Sequence, residues 1–234
     1  MIPHFVDARP RADYLAGHVP GAAHVDPELD LTGTAGGGRH PLPTPESFSA
    51  SASRAGIDAD TFVVAYDAGT GWAARLWWLL RHFGHDGAGV IAFAAWRGPL
   101  HAGEEEIEPR VFVARPRNDD TADAEELLRR LGDPSLVLVD ARAPERFRGE
   151  VEPLDKVAGR IPGARNLYFA DPLPLPAELL EADELVVYCG SGVTACVDVL
   201  ALTLAGRENV RLYPGSWSEW SSAGNPVETG PWTP

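Results

Sequence analysis

Both thiols of this 234-residue chain fall in one stretch, VVYCGSGVTAC at positions 186–196. The apolar VVY reads as the end of a strand, and Val193 as the start of a helix. Between them Cys189 opens a tight loop of Gly190, Ser191, Gly192, Val193 and Thr194. Two glycines let successive backbone N–H groups turn toward one point, and a helix N-terminus behind them adds partial positive charge. A sulfur at that point is stabilised as the thiolate, which is the nucleophilic form. The same cradle suits a persulfide or a transferred oxyanion. Cys196 falls inside the apolar helical run that follows, where a cysteine is expected to pack as a small hydrophobe.

The strand and helix that such a loop needs are written twice. FVDAR at 5–9 returns as LVDAR at 138–142, and GHVPGA at 17–22 returns as GRIPGA at 159–164. VVAYD at 63–67 returns as LVVYC at 185–189, and tryptophan-bearing segments follow at 90–96 and 210–217. Matched blocks in the same order mark two similar domains. Each reads as α/β, a mainly parallel sheet flanked by helices, with strands at Val137–Val139 and Val186–Tyr188 and helices at Ala73–Phe83 and Val193–Ala205. Ala124–Leu131 reads as a helix opened by Asp123 and Glu126 in a capping-box arrangement. Composition places the first domain at 1–108, a polar, proline-bearing linker at 109–122 and the second domain at 123–234. The copies differ by inserted loops, GGGRHPLP at 36–43 in the first and ERFRGEVEP at 145–153 in the second. Insertions on a repeated scaffold are where function tends to be added.

Bulk properties narrow the function classes. A net charge of −14 argues against nucleic acid and anionic membrane as partners. No apolar run is long enough for a membrane span, and the opening residues show no signal-peptide pattern. Two cysteines seven positions apart cannot staple a chain of this length, so reduced thiols in a cytoplasm are expected. Of the 20 basic residues only Lys156 is a lysine, which makes an arginine here weak evidence of function by itself. No metal-ligand spacing, P-loop or dinucleotide fingerprint is present.

The CGSGVTA loop, the two Asp-Ala-Arg blocks, the paired PGA motifs and GSWSEW at 215–220 together resemble the two-domain rhodanese family over nearly the whole chain. The resemblance implies a catalytic second domain and a degenerate first one. Asp67 stands where Cys189 stands in the repeat, and a carboxylate cannot carry sulfur. It also implies mercaptopyruvate-type chemistry, because thiosulfate-preferring members typically carry basic residues after the cysteine and this loop has none. Ala195 occupies the place of the arginine that related phosphatases and arsenate reductases need.

By the same resemblance Ser191 belongs to a serine–histidine–acid group. His40 is its histidine, and Glu28 the acid favoured over Asp26 and Asp30. Arg146 matches an arginine that holds the donor carboxylate. A second arginine is expected just after Glu-Pro, but Leu154 stands there, so Lys156 or Arg160 is the candidate. The implied activity is sulfur transfer from a small anionic donor, 3-mercaptopyruvate favoured, through a Cys189 persulfide. The acceptor would be a thioredoxin-like or low-molecular-weight thiol, or cyanide, and no cofactor is needed. The alternatives are a thiosulfate-preferring transferase and a persulfide carrier with little turnover.

Overall fold

The apolar runs read from the sequence become short parallel strands in the computed structural model, which describes residues 2–231. The chain divides into two units. Unit 1 comprises residues 1–35 and 42–117, and unit 2 comprises residues 36–41 and 118–234.

In unit 1 the order is β1 (His4–Asp7), α1 (Arg11–Ala16), β2 (Ala23–His24), α2 (Pro45–Arg54), β3 (Val63–Asp67), α3 (Trp72–His82) and β4 (Ala88–Ala92). The strands form one parallel sheet in the order β2-β1-β3-β4. Unit 2 continues with α4 (Ala124–Arg129), β5 (Leu136–Asp140), α5 (Pro144–Phe147), β6 (Arg165–Asn166) and α6 (Ala177–Glu181). It ends with β7 (Glu184–Tyr188), α7 (Ala195–Leu204), β8 (Val210–Leu212) and α8 (Ser216–Ser222). Its sheet has the matching parallel order β6-β5-β7-β8. Central strands of such sheets are covered on both faces, which is why LVLVD and ELVVY read as continuous apolar runs rather than alternating ones.

The repeated blocks do the same structural work in both units. Asp7 and Arg9 form a two-pronged ion pair, as do Asp140 and Arg142, and the second guanidinium nitrogen also reaches the Gly17 or Gly159 carbonyl. The tyrosine that closes the central strand accepts an N–H from each PGA block, Val19 to Tyr66 and Ile161 to Tyr188, at 3.1 Å in both. Glu105 and Glu228 likewise accept the Gly21 and Gly163 amides. The side chains that meet these carboxylates differ: His18 and His101 at Glu105, Arg160 at Glu228. The sequence spacing hides this grouping of His18, His101 and Glu105, whose ligand atoms lie within 4.8 Å of one another. The Arg160–Glu228 pair at the equivalent place gives it a structural reason, side chains that hold the carboxylate anchoring the PGA turn.

Asp123 caps α4 by accepting the Glu126 N–H at 2.8 Å, as the capping-box reading anticipates. Helix α7 begins at Ala195, two residues later than Val193, because Val193 and Thr194 are still part of the loop. The segment from 109 to 117, read from composition as linker, runs along unit 1. Arg110 N–H bonds the Ser53 carbonyl at 3.0 Å, Arg117 N–H bonds that of His82 at 2.7 Å, and Phe112 is buried. Conversely, residues 36–41 leave unit 1 and join unit 2. Unit 2's core centres on Trp217 and Trp220, both wholly buried, with Tyr188, Phe147 and Leu127. No described helix is long and apolar enough to cross a membrane.

Candidate active site

Strand β7 delivers Cys189 to the carboxyl edge of the unit 2 sheet, the edge where open α/β sheets bind ligands. The Gly192 N–H donates to the Cys189 sulfur at 3.1 Å. This geometry needs Gly192 in the left-handed region, at φ +80°, and a Cβ there would sit 2.4 Å from the Pro214 carbonyl oxygen. The carbonyls of Cys189 and Gly190 are held from outside the loop. Trp217 N–H bonds the Cys189 carbonyl and Ser218 N–H that of Gly190, each at 3.0 Å. Ser216, itself at φ +53°, accepts the Cys189 N–H and donates to the Tyr213 carbonyl. The GSWSEW segment is therefore the outer brace of the loop.

The structure brings Ser191 and His40 together, with the Ser191 hydroxyl 2.7 Å from His40 Nδ1. Residues 36–41 carry His40 into unit 2, so a side chain 151 positions away becomes the neighbour of the residue two after the cysteine. When Nδ1 is unprotonated, the serine hydroxyl donates to it. When Nδ1 carries a proton, the ring donates and the hydroxyl hydrogen is released toward a ligand. The pair can thus move a proton in either direction.

Of the three acids, Asp30 is engaged by Ser51 and Arg54 of α2, and Asp26 accepts the Glu28 and Leu29 amides in its own turn. Glu28 is exposed in unit 1. Arg146 lies at the end of α5 and donates to Glu152 at 2.7 Å. Burial disfavours the Glu152 charge, but Arg146 and the Leu154 and Asp155 amides outweigh it and hold this carboxyl below its ordinary range. Lys156 is exposed. Arg160 is not available as a second substrate arginine: it is buried against Phe147, ion-paired to Glu228 and bonded to the Gly230 carbonyl. Arg148 pairs with Glu150 in the same exposed turn. Cys196 is fully buried and directs its sulfur toward the Gly192 carbonyl at 3.5 Å, consistent with packing rather than chemistry.

Three contributors escaped the sequence reading. Ser216 acts through its hydroxyl and Ser218 through its backbone N–H, both aimed by a turn that no side-chain motif announces. Arg39, beside His40, donates to the Gly190 carbonyl at 3.1 Å and pairs with Asp155. The arginine-rich composition masked it, although its place next to the selected histidine was a usable signal.

Asp198, on α7 behind the loop, is fully buried with both carboxyl oxygens lacking a hydrogen-bond partner. Burial first, then the nearby Cys189 and Asp140, push its carboxyl well above the ordinary 3.8. A raised folded value means that the unfolded chain releases this proton first, so stability falls as pH climbs above about 4. Asp198→Asn should therefore be neutral near pH 3.8. Its advantage should then grow by about 1.4 kcal/mol per pH unit until the folded group also ionises. Thermal unfolding of both proteins at pH 4 and pH 8 checks this, and equal Tm differences at the two values would refute it.

In unit 1 the loop after β3 holds an anion of its own. The Asp67 carboxylate accepts the Gly69 and Ala73 amides at 2.8 and 3.0 Å and the Thr70 hydroxyl at 3.2 Å. The same kind of cradle meets a tethered carboxylate in one unit and a thiol in the other.

The model of the rhodanese-like domain matches residues 2–96 and again 123–223, covering most of both units. The chain belongs to the two-domain rhodanese family. A Pseudomonas aeruginosa protein called "Probable 3-mercaptopyruvate sulfurtransferase" is 45% identical over 244 residues, spanning 93% of this chain and 86% of the relative. A Mycobacterium tuberculosis relative bearing a thiosulfate sulfurtransferase name, SseB, is 39% identical over 237 residues, spanning 90% and 82%. The crystal structure of SseA from Escherichia coli, described as a 3-mercaptopyruvate sulfurtransferase with the rhodanese fold, superposes with a TM-score of 0.78. It shares 30% identity and covers 92% of this chain and 93% of its own. The tandem rhodanese architecture that the resemblance implies is therefore this chain's own.

Proposed function

We infer that this tandem rhodanese is a sulfurtransferase whose favoured donor is 3-mercaptopyruvate. The observation that carries the reading is the neutral loop in which the Gly192 N–H meets the Cys189 sulfur while Ser191, two residues on, meets His40. In the first half-reaction the Cys189 thiolate attacks the donor sulfur. An S–S bond forms, the donor C–S bond breaks, and its electron pair leaves on carbon as the enolate of pyruvate. The Ser191–His40 pair supplies the proton that converts enolate to pyruvate. Arg146 holds the donor carboxylate through its guanidinium. In the second half-reaction an acceptor thiolate, or cyanide, attacks the outer sulfur and regenerates the Cys189 thiolate, a ping-pong cycle. Small cellular thiols or a thioredoxin-like protein in the cytoplasm fit this step. The unit 1 loop carries no sulfur, since the Asp67 carboxylate fills it.

The test is to treat the protein with 3-mercaptopyruvate or with thiosulfate, and to follow pyruvate and intact mass. The expected result is one added sulfur per chain with stoichiometric pyruvate. Persulfide from thiosulfate alone would favour the chemistry named for the mycobacterial relative. Persulfide without turnover would make the chain a sulfur carrier.

A further inference from the structure

The carboxylates that anchor the two PGA turns are matched in place but not in what they meet. Glu228 meets Arg160, a guanidinium that keeps its positive charge at any working pH. Glu105 meets two imidazoles. Its Oε1 lies 2.7 Å from His101 Nδ1 and 3.3 Å from His18 Nε2, and it accepts the Gly21 N–H at 2.8 Å. His101 first, and then the Gly21 amide, hold the Glu105 carboxyl down to about 2, so it stands there as an anion.

The other nitrogen of His18 fixes its tautomer. Nδ1 lies 2.8 Å from the Tyr14 carbonyl, which can only accept, so Nδ1 carries a proton. In the neutral ring Nε2 then presents a bare lone pair, and what it faces is the carboxylate. His18 is wholly buried with Tyr14 stacked on it, 4.0 Å between ring centroids, so it cannot turn to water instead. Either a proton or a metal ion has to stand between these two acceptors.

Three observations favour the ion. His18 and His101 exchange both backbone hydrogen bonds at 2.9 Å in an antiparallel bridge, which fixes the two residues opposite each other. The three ligand atoms lie within 4.8 Å of one another, and tetrahedral bonds to zinc would draw them to about 3.3–3.4 Å. The Nδ1–H bond of His18 to a carbonyl is the outer contact that orients metal-bound histidines. The His101 side chain is 54% exposed, which gives an ion a way in and room for a water.

We propose that His18 Nε2, His101 Nδ1 and Glu105 bind one Zn²⁺ ion in unit 1, supplying the positive charge that Arg160 supplies in unit 2. Two imidazoles and one carboxylate suit zinc, whereas calcium and magnesium take oxygen ligands. His101 binds with its remaining proton on Nε2. The ion pins the 101–105 segment to the PGA turn and is separate from the thiol chemistry. With His18 lying 87 positions before Glu105, the site leaves no spacing pattern in the sequence.

The experiment titrates Zn²⁺ into chain freed of metal by dialysis against a chelator, and measures bound ion by elemental analysis. It uses the wild-type protein, Cys189→Ser, and Cys189→Ser combined with His101→Ala or His101→Gln. Cys189→Ser removes a thiolate that would compete for zinc. This variant should bind one Zn²⁺ per chain, and the wild type at least that one. Co²⁺ in its place should show the visible bands of a four-coordinate ion. Both His101 variants should bind at least about 10- to 100-fold more weakly, the scale of losing even an outer partner. The His101 side chain is largely exposed, and unchanged far-UV circular dichroism would show that the variants fold. His101→Gln also keeps a donor for Glu105, so its loss of zinc reads the ligand and not the hydrogen bond. No Zn²⁺ on Cys189→Ser would put a proton between His18 and Glu105 and overturn the proposal. Binding unchanged by either His101 substitution would place the ion elsewhere and overturn it equally.

Discussion

Cys189→Ser keeps its fold and loses sulfur transfer by about a thousandfold or more, the scale of removing a covalent nucleophile. A serine hydroxyl at this position is not a ready anion at neutral pH, and oxygen cannot hold the outer sulfur as a persulfide does. The fold survives because the contacts that anchor residue 189 are made by its backbone, to Ser216 and Trp217. Pyruvate release and intact mass give the measurement, with Cys196→Ala as the control. Cys196 packs in α7, so that variant should still gain one sulfur. Sulfur found on Cys189→Ser, or lost with Cys196, would move the chemistry to the other thiol.

Gly192→Ala is expected to cost nearly as much without touching the nucleophile. An alanine at φ +80° is strained by about 1–2 kcal/mol. That alone would be tolerable, but its methyl would stand 2.4 Å from the Pro214 carbonyl, which belongs to the turn that braces the loop. Either the turn or the loop must move, and the Gly192 N–H then no longer reaches the sulfur. Losing one such preorganised donor lowers kcat by about a hundred- to a thousandfold. Gly206→Ala separates the two effects. Gly206 also has a positive φ, +90°, but nothing lies within 4 Å of its added methyl. It should lose some stability and keep full activity. Equal activity in the two variants would show that the loop's geometry does not matter to the rate.

Most of the scaffold could be read from the chain because duplication made each weak local signal appear twice. A single LVVYC is an ambiguous apolar run, but beside VVAYD, with DAR and PGA blocks in the same order, it defines a strand and its edge. The pairing of Asp140 with Arg142 and the cap at Asp123 were legible for a related reason: their partners lie two and three residues away. The brace at Ser216–Ser218 was not, because backbone N–H groups carry no sequence signature and the turn that aims them depends on packing Trp217 and Trp220. Arg160 was misread as a candidate ligand. Its partners Glu228 and Gly230 lie some seventy residues on, too far for spacing arguments to reach. Arg39 was overlooked because its value comes from a segment of unit 1's sequence lodging in unit 2.

The carboxylate of Asp67 has one further consequence, for binding stoichiometry. Fixed to the chain by its own backbone, it faces the amides of Gly69 and Ala73 at an effective concentration that no dissolved anion can match. Sulfite, thiosulfate or phosphate entering the solution thus finds the unit 1 loop already filled by a carboxylate, and of the two repeated loops only the one at Cys189 can receive it. Saturation curves for small anions should be those of a single class of site, although the sequence contains the loop twice.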